Sequence, residues 1–409
     1  MAARYALHVV DHHVARFRRR AAGRCIAILL TLWLCLPPWA APASACPFCG
    51  VVGQSLAERR DAAAVVAVGE PDGGAAADAA GFPTQQFQIH QVLRGRAPAE
   101  LDRGGAPDRG GETVAARVAG PVAGTAVLFA TADAPPRWTA LAANEAVLAH
   151  IATAPAMTAP AAERLRWFAQ RLEHPEPAIA EDAFTEFGLA PFEAVREAAD
   201  AFDRKKLRGW VGEPGIDQRR RGFYGLALSL AAASVDDAAE QAACLDVLHR
   251  ALEAPADDFR AGFDGLMGGV LVAEGPRGLE HLENRGLFGP DARPVDQRHL
   301  LSALRFAWEN LGGSIPRDRI AAATAALLAR PVVAAAAAID LARYQAWDAV
   351  DDVANLWDTL GAEDPLVRRA VAGYLSACPT PAAREQAARI RRQNPAAFQQ
   401  AVDAAALPQ

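Results

Sequence analysis

The sequence predicts an α+β multidomain protein, a small N-terminal β-barrel or sandwich followed by an α-solenoid of short helices. Three observations point there. Residues 62–143 break into five short strand-like runs separated by Gly- and Pro-rich segments. Near Asn144 the composition shifts, and apolar residues then recur at spacings of three and four. Pro and Gly interrupt that helical pattern at short intervals, so the helices are many and their connections brief.

The first strand run, residues 63–68, is apolar and closed by Gly69. Residues 85–93 alternate Phe87, Ile89, Gln91 and Leu93 against Gln86, Gln88 and His90, the pattern of a half-buried strand. Residues 113–118, 125–131 and 138–141 supply three more. Residues 71–74, 81–83 and 104–111 read as turns. Beyond Asn144 the apolar faces are Leu165/Phe168/Leu172, Ile179/Ala183/Phe184/Phe187, Phe223/Leu226/Leu230, Leu245/Leu248/Leu252 and Phe259/Phe263/Leu266/Val270. Leu301/Leu304/Trp308/Leu311, Val350/Val353/Trp357/Leu360 and Val367/Val371/Leu375 continue the series. Abundant alanine, the best helix former, with only 7% aromatics favours closely approaching helices.

The N-terminal end carries an address. Arg4, Arg16, Arg18, Arg19, Arg20 and Arg24 precede an apolar run from Ile26 to Leu36, then Ala43-Ser44-Ala45 and Cys46-Pro47-Phe48-Cys49. A basic segment, a short apolar core and a small-x-small site make a signal peptide cleaved after Ala45. The run is shorter than the roughly 20 residues a membrane-spanning helix needs. The expected organisation is therefore a signal peptide over 1–45, a β-domain with an N-terminal Cys-x-x-Cys over 46–150 and a helical domain over 151–409. The protein is expected outside the cytosol: periplasmic, in the cell envelope or extracellular.

The formal charge is −6 over 409 residues. The first 45 residues contribute +5, which leaves about −11 on the remainder. That surface disfavours nucleic acid and anionic lipid as general partners. Contact with a membrane is expected only through the signal peptide or a lipid on Cys46.

Cys46 and Cys49 admit several readings. A local disulfide or a bridge tying down the terminus is one, in keeping with an oxidising compartment. Acylation of Cys46 is another, with Ser44 and Ala45 suited and Ala43 smaller than such a site prefers. A redox pair is a third, since Cys-Pro-x-Cys can lower a thiol pKa, although no strand precedes it as in a βαβ setting. Half a zinc site is a fourth, although no second pair follows. Gly50 stands where haem attachment would require histidine.

His90, His150, His174, His249, His281 and His299 are scattered, with no two at i, i+4 spacing, and each reads as a surface or packing residue. The basic clusters Arg204-Lys205-Lys206-Leu207-Arg208 and Arg219-Arg220-Arg221 read as helix faces paired with acids such as Asp200, Asp203 and Asp217. Gly268-Gly269, inside an apolar run, reads as a site of close helix packing. No nucleophile elbow, zincin motif, phosphate loop or other catalytic motif is present, and no cofactor or metal ligand set is assigned.

Two segments resemble the HEAT-repeat signature. They are Pro175-Glu176-Pro177-Ala178-Ile179-Ala180-Glu181-Asp182-Ala183-Phe184 and Asp364-Pro365-Leu366-Val367-Arg368-Arg369-Ala370-Val371. The resemblance implies stacked helix pairs. Cys46-Pro47-Phe48-Cys49, Val92-Leu93-Arg94-Gly95, the segment from Glu181 to Phe187, Arg219-Arg220-Arg221-Gly222-Phe223-Tyr224-Gly225 and the segment from Tyr374 to Pro379 go further. They resemble a group of exported uncharacterised planctomycete-type proteins, over nearly the whole mature chain. That resemblance implies export and this architecture, and no activity.

The β-domain also resembles OB-type, netrin-like domains such as tissue inhibitors of metalloproteinases. Those share a cysteine near the mature terminus and a strand ending like Leu93-Arg94-Gly95. This chain departs from them in opening Cys-x-x-Cys rather than Cys-x-Cys and in lacking their later cysteines. The resemblance implies protease inhibition through the terminal amine of Cys46. The function expected from the whole sequence is non-catalytic binding and scaffolding of a protein partner at the cell envelope. A thiol-redox or metal-linked role centred on Cys46 and Cys49 is the alternative.

Overall fold

A computed structural model describes residues 53–95, 113–255 and 259–406, which fall within one compact unit. The signal segment and the Cys46/Cys49 pair lie outside the described residues. Among the described residues about 60% are helical, in 17 helices, with one small five-stranded barrel.

The described chain opens with a short helix, α1 (Leu56–Ala62). Ser55 caps it, and Glu58 stands three residues on, as in a capping box. Five strands follow: β1 (Val65–Ala77), β2 (Pro83–Arg94), β3 (Thr113–Arg117), β4 (Ala126–Ala130) and β5 (Trp138–Ala142). They close a barrel in the order β1-β2-β3-β5-β4, with β3 and β5 parallel and the other pairs antiparallel. Val65, Ala67, Phe87, Ile89, Val114, Leu128 and Trp138 fill its interior. The outer face of β1 and β4 is covered too. Val66, Val127 and Phe129 pack with Leu56, Val147, Ile151 and Ile179. Burial on both faces explains why these two strands read as continuous apolar runs.

All five expected strands are present. β1 runs past Gly69, through the segment read as a turn, by means of register shifts between Pro71 and Ala75. The inward alternation of β2 stops at Ile89, leaving Val92 and Leu93 at the surface. Gln85, although polar, is buried, and its amide closes a pair of hydrogen bonds with the backbone of Val122 at 2.9 and 3.0 Å.

The helical region comprises α2 (Glu145–Thr153), α3 (Ala161–Ala169), α4 (Pro177–Leu189), α5 (Phe192–Glu197), α6 (Arg204–Gly212) and α7 (Gln218–Ala233). Then come α8 (Ala238–Glu253), α9 (Phe263–Glu274), α10 (Pro276–Asn284), α11 (Pro294–Asn310) and α12 (Arg317–Ala326). α13 (Ala334–Arg343), α14 (Val350–Asn355), α15 (Pro365–Ala377), α16 (Pro381–Gln393) and α17 (Pro395–Ala406) complete it. Pro begins many of these helices, where its missing N–H costs nothing.

Alternate helices pack side by side: α7 on α9, α9 on α11, α13 on α15, and α15 on α17. Arg305 on α11 reaches Asp340 on α13 at 2.5 Å, and Trp308 stacks on Tyr344 with ring centroids 4.1 Å apart. The content is helical and repeat-like. Phe259 departs from the expected face: it precedes α9 and is 63% exposed.

α7 is buried over most of its surface, from Gly222 to Ala232, as expected of a central helix. It meets α9 through glycine. A Cβ on Gly222 would lie 2.8 Å from Gly262 Cα, and one on Gly269 would lie 2.7 Å from the Gly225 carbonyl oxygen. A Cβ on Gly265 would overlap the Gly222 backbone. Ser229 Oγ donates to the Gly269 carbonyl at 2.7 Å across this contact. Replacing Gly265 with Ala should push the two helices apart and cost about 1–3 kcal/mol, read as a lower urea midpoint. Ala at Gly313, which has open space around it, should leave the midpoint nearly unchanged.

Candidate functional site

A dense buried polar cluster among the described residues ties the start of α1, which leads into the barrel, to α2, α3 and α4. Asp182 and Glu186 sit one turn apart on α4 and so face the same way. Leu56 N–H donates to Asp182 Oδ1 at 2.5 Å, and Asp182 Oδ2 holds His150 Nε2 of α2 at 2.7 Å. Ser55 Oγ donates to Glu186 Oε1, while Arg164 Nη2 of α3 donates to Glu186 Oε2 at 3.0 Å. Glu186 is wholly buried. Ser55 Oγ also accepts the Glu58 N–H at 3.0 Å, so its hydroxyl is fully engaged in capping and anchoring. Replacing Glu186 with Ala leaves Ser55 and Arg164 without their acceptor. The expected loss is about 3–5 kcal/mol, measured by denaturant unfolding.

Beside this cluster runs an open cleft of about 600 Å³, lined among others by Arg60, Asp61, Val66, Leu93, Arg94 and Met157. Arg60 caps the end of α2, donating to the carbonyls of Ile151, Ala154 and Pro155 at 2.9, 2.6 and 3.1 Å. Asp61 accepts Arg60 Nε at 2.8 Å, Arg94 Nη1 at 2.5 Å and the Met157 N–H at 2.7 Å. Gly95, at φ +85°, ends β2 against the Ala64 carbonyl, where a Cβ has no room. Leu93 and Arg94 of the Val92-Leu93-Arg94-Gly95 segment thus line the cleft.

Partial burial raises the Asp61 pKa, but hydrogen bonds from Arg60, Met157 and Arg94 outweigh it and hold the carboxyl at about 2, against an ordinary 3.8. A pKa lowered by folding contributes stability above the unfolded value and loses it as pH falls. Wild type should therefore be more stable than Asp61→Asn at neutral pH. The gap should shrink between about pH 4 and pH 2 in thermal melts.

A second cluster lies on three successive helices. His249 of α8 and His281 of α10 stack with ring centroids 4.1 Å apart and planes 8° from parallel. His249 Nε2 lies 3.2 Å from Glu274 Oε2 on α9. One ligand atom from each of the three residues lies within 4.8 Å of the others. His281 Nε2 is buried without a hydrogen bond. Burial, and then the facing His249 ring, push His281 below the ordinary imidazole pKa. Such a set can hold a divalent metal ion. The sequence treats both histidines as isolated packing residues. Three separate helices supply the cluster, so no local spacing announces it.

The remaining histidines among the described residues are accounted for locally. His90 faces Glu70 at the surface, His174 Nδ1 accepts the Glu176 N–H, and His299 contacts Asp264 and the Phe259 carbonyl. Four arginines of the basic clusters are paired, mostly with other acids than those expected. Arg204 and Arg208 share Glu240, and Arg220 bridges Glu173 and Glu181 at 3.0 and 2.5 Å. Arg219 does pair with Asp217, at 2.7 Å. Asp203 instead caps α6, and Asp200 pairs with Arg166. Of the expected site residues, Ala45, Cys46 and Cys49 lie outside the described residues. Cys244 and Cys378 are buried free thiols. Comparison with family models, curated proteins and solved structures finds no match.

Proposed function

We propose that this is an exported, non-catalytic binding and scaffolding protein that presents its helical region to a protein partner at the cell envelope. The side-by-side packing of alternate helices, from α7 to α11 and again from α13 to α17, carries this reading. Helices stacked in that order are consistent with an α-solenoid of HEAT-like pairs, an architecture whose extended faces suit protein recognition. At the second HEAT-like segment Asp364 caps α15 through the Leu366 N–H at 2.8 Å, and Arg368 ties back to the Gly361 and Ala362 carbonyls. The barrel order β1-β2-β3-β5-β4 supports an OB type, and with it the netrin-like resemblance.

Leu366 and Phe259, 64% and 63% exposed, are the most exposed large apolar side chains among the described residues. A photo-crosslinking residue at either position, in the full chain made by its own host, should yield a discrete adduct with an envelope protein. The captured chain should begin at Cys46 by intact mass. Absence of a discrete adduct from either position, or capture of a chain retaining residues 1–45, counts against the reading.

A further inference from the structure

We propose that His249, Glu274 and His281 form a binding site for one divalent transition-metal ion of the zinc class. The site is independent of the partner-binding reading above and of the Cys46/Cys49 pair.

The donor set selects the ion. Two imidazoles and one carboxylate suit zinc, cobalt, nickel or copper, whereas calcium and magnesium take oxygen ligands almost exclusively. Three protein ligands leave room for water in a fourth position of a tetrahedral ion. The His249 side chain is 26% exposed and that of Glu274 15%, so solvent reaches the cluster.

The backbone around the cluster is firmly set. Glu274 is the last residue of α9, and Gly275 at φ +59° turns the chain directly into Pro276 and α10. A Cβ on Gly278 would lie 2.7 Å from the Val270 carbonyl oxygen, so α10 is pressed against α9 by backbone contact. Beside the cluster Arg285 is paired with Glu253 at 3.3 Å, which offsets cationic charge near the ion.

The uncommitted His281 nitrogen is the second observation. A buried polar atom without a partner is costly, and native proteins rarely retain one. An ion accepting a lone pair from this ring is one way to engage it. In the parallel stack the lone pairs of the two rings run side by side rather than converging. Binding therefore turns one ring about its side-chain torsions until the donors close from within 4.8 Å to about 3.3 Å, the spacing set by zinc–nitrogen bonds of about 2.0–2.1 Å. The ion then bridges α8 to the α9–α10 hairpin.

The test uses the full chain without a histidine tag, stripped with chelator and titrated with Zn²⁺ by calorimetry and with Co²⁺ by absorption. One equivalent should bind, with a rise in thermal midpoint. The Co²⁺ complex should show visible d–d bands without a thiolate-to-metal charge-transfer band. His281→Gln and His249→Gln should each weaken binding roughly 100-fold, and Cys46→Ser with Cys49→Ser should leave this equivalent in place. Should the histidine variants misfold, paramagnetic shifts of two imidazoles in the wild-type Co²⁺ complex give the same answer. Binding that survives in folded His249→Gln and His281→Gln, a thiolate band with no shifted imidazoles, or no uptake at all overturns the proposal.

Discussion

The arrangement of the described chain depends on two carboxylates of α4 buried with their partners. Asp182 and Glu186 are withdrawn from water and must be matched by donors. The chain supplies them from Ser55 and Leu56 at the start of α1, His150 of α2 and Arg164 of α3. Buried ion pairs add little net stability compared with an apolar core, but they punish every arrangement that leaves one member unpaired. Their effect here is to permit one docking of α1, and of the barrel that follows it, on α2–α4. The apolar contacts of Val66, Val127 and Phe129 with Ile151 and Ile179 supply adhesion around that registration point.

A different device governs the helical region. Between α7 and α9, glycines remove side-chain bulk so that backbones touch. Dispersion gains at such a contact are numerous and short-ranged. Farther along, α11 and α13 meet through long side chains, in the Arg305–Asp340 pair and the Trp308–Tyr344 stack.

Five strands and the helical faces were legible because each rests on a local pattern. Alternation and Gly/Pro breaks mark the barrel strands, and three–four spacing marks faces such as Leu165/Phe168/Leu172, all of which are buried. Gly269, inside an apolar run, is a close-packing position as its setting in the sequence indicates. α1 leaves little trace beyond the capping pattern of Ser55 and Glu58, since the stretch is short and rich in charge. Periodicity points Leu93 and Phe259 inward because it does not reveal where an element stops: β2 leaves the barrel interior after Ile89, and α9 starts only at Phe263. The candidate site was the least legible part. His150 with Asp182, and His249 with Glu274 and His281, are brought together by tertiary packing between helices.

The junction also bears on the order in which the molecule takes shape. Ser55 pairs with a residue 131 positions later, and Leu56 with one 126 positions later. Most contacts among the helices join close sequence neighbours and need little loop closure. A chain emerging from its N-terminal end therefore exposes α1 and the outer face of the barrel before α4 exists to receive them. Docking waits for Glu186, which leaves the barrel face a surface that chaperones can hold in the interval.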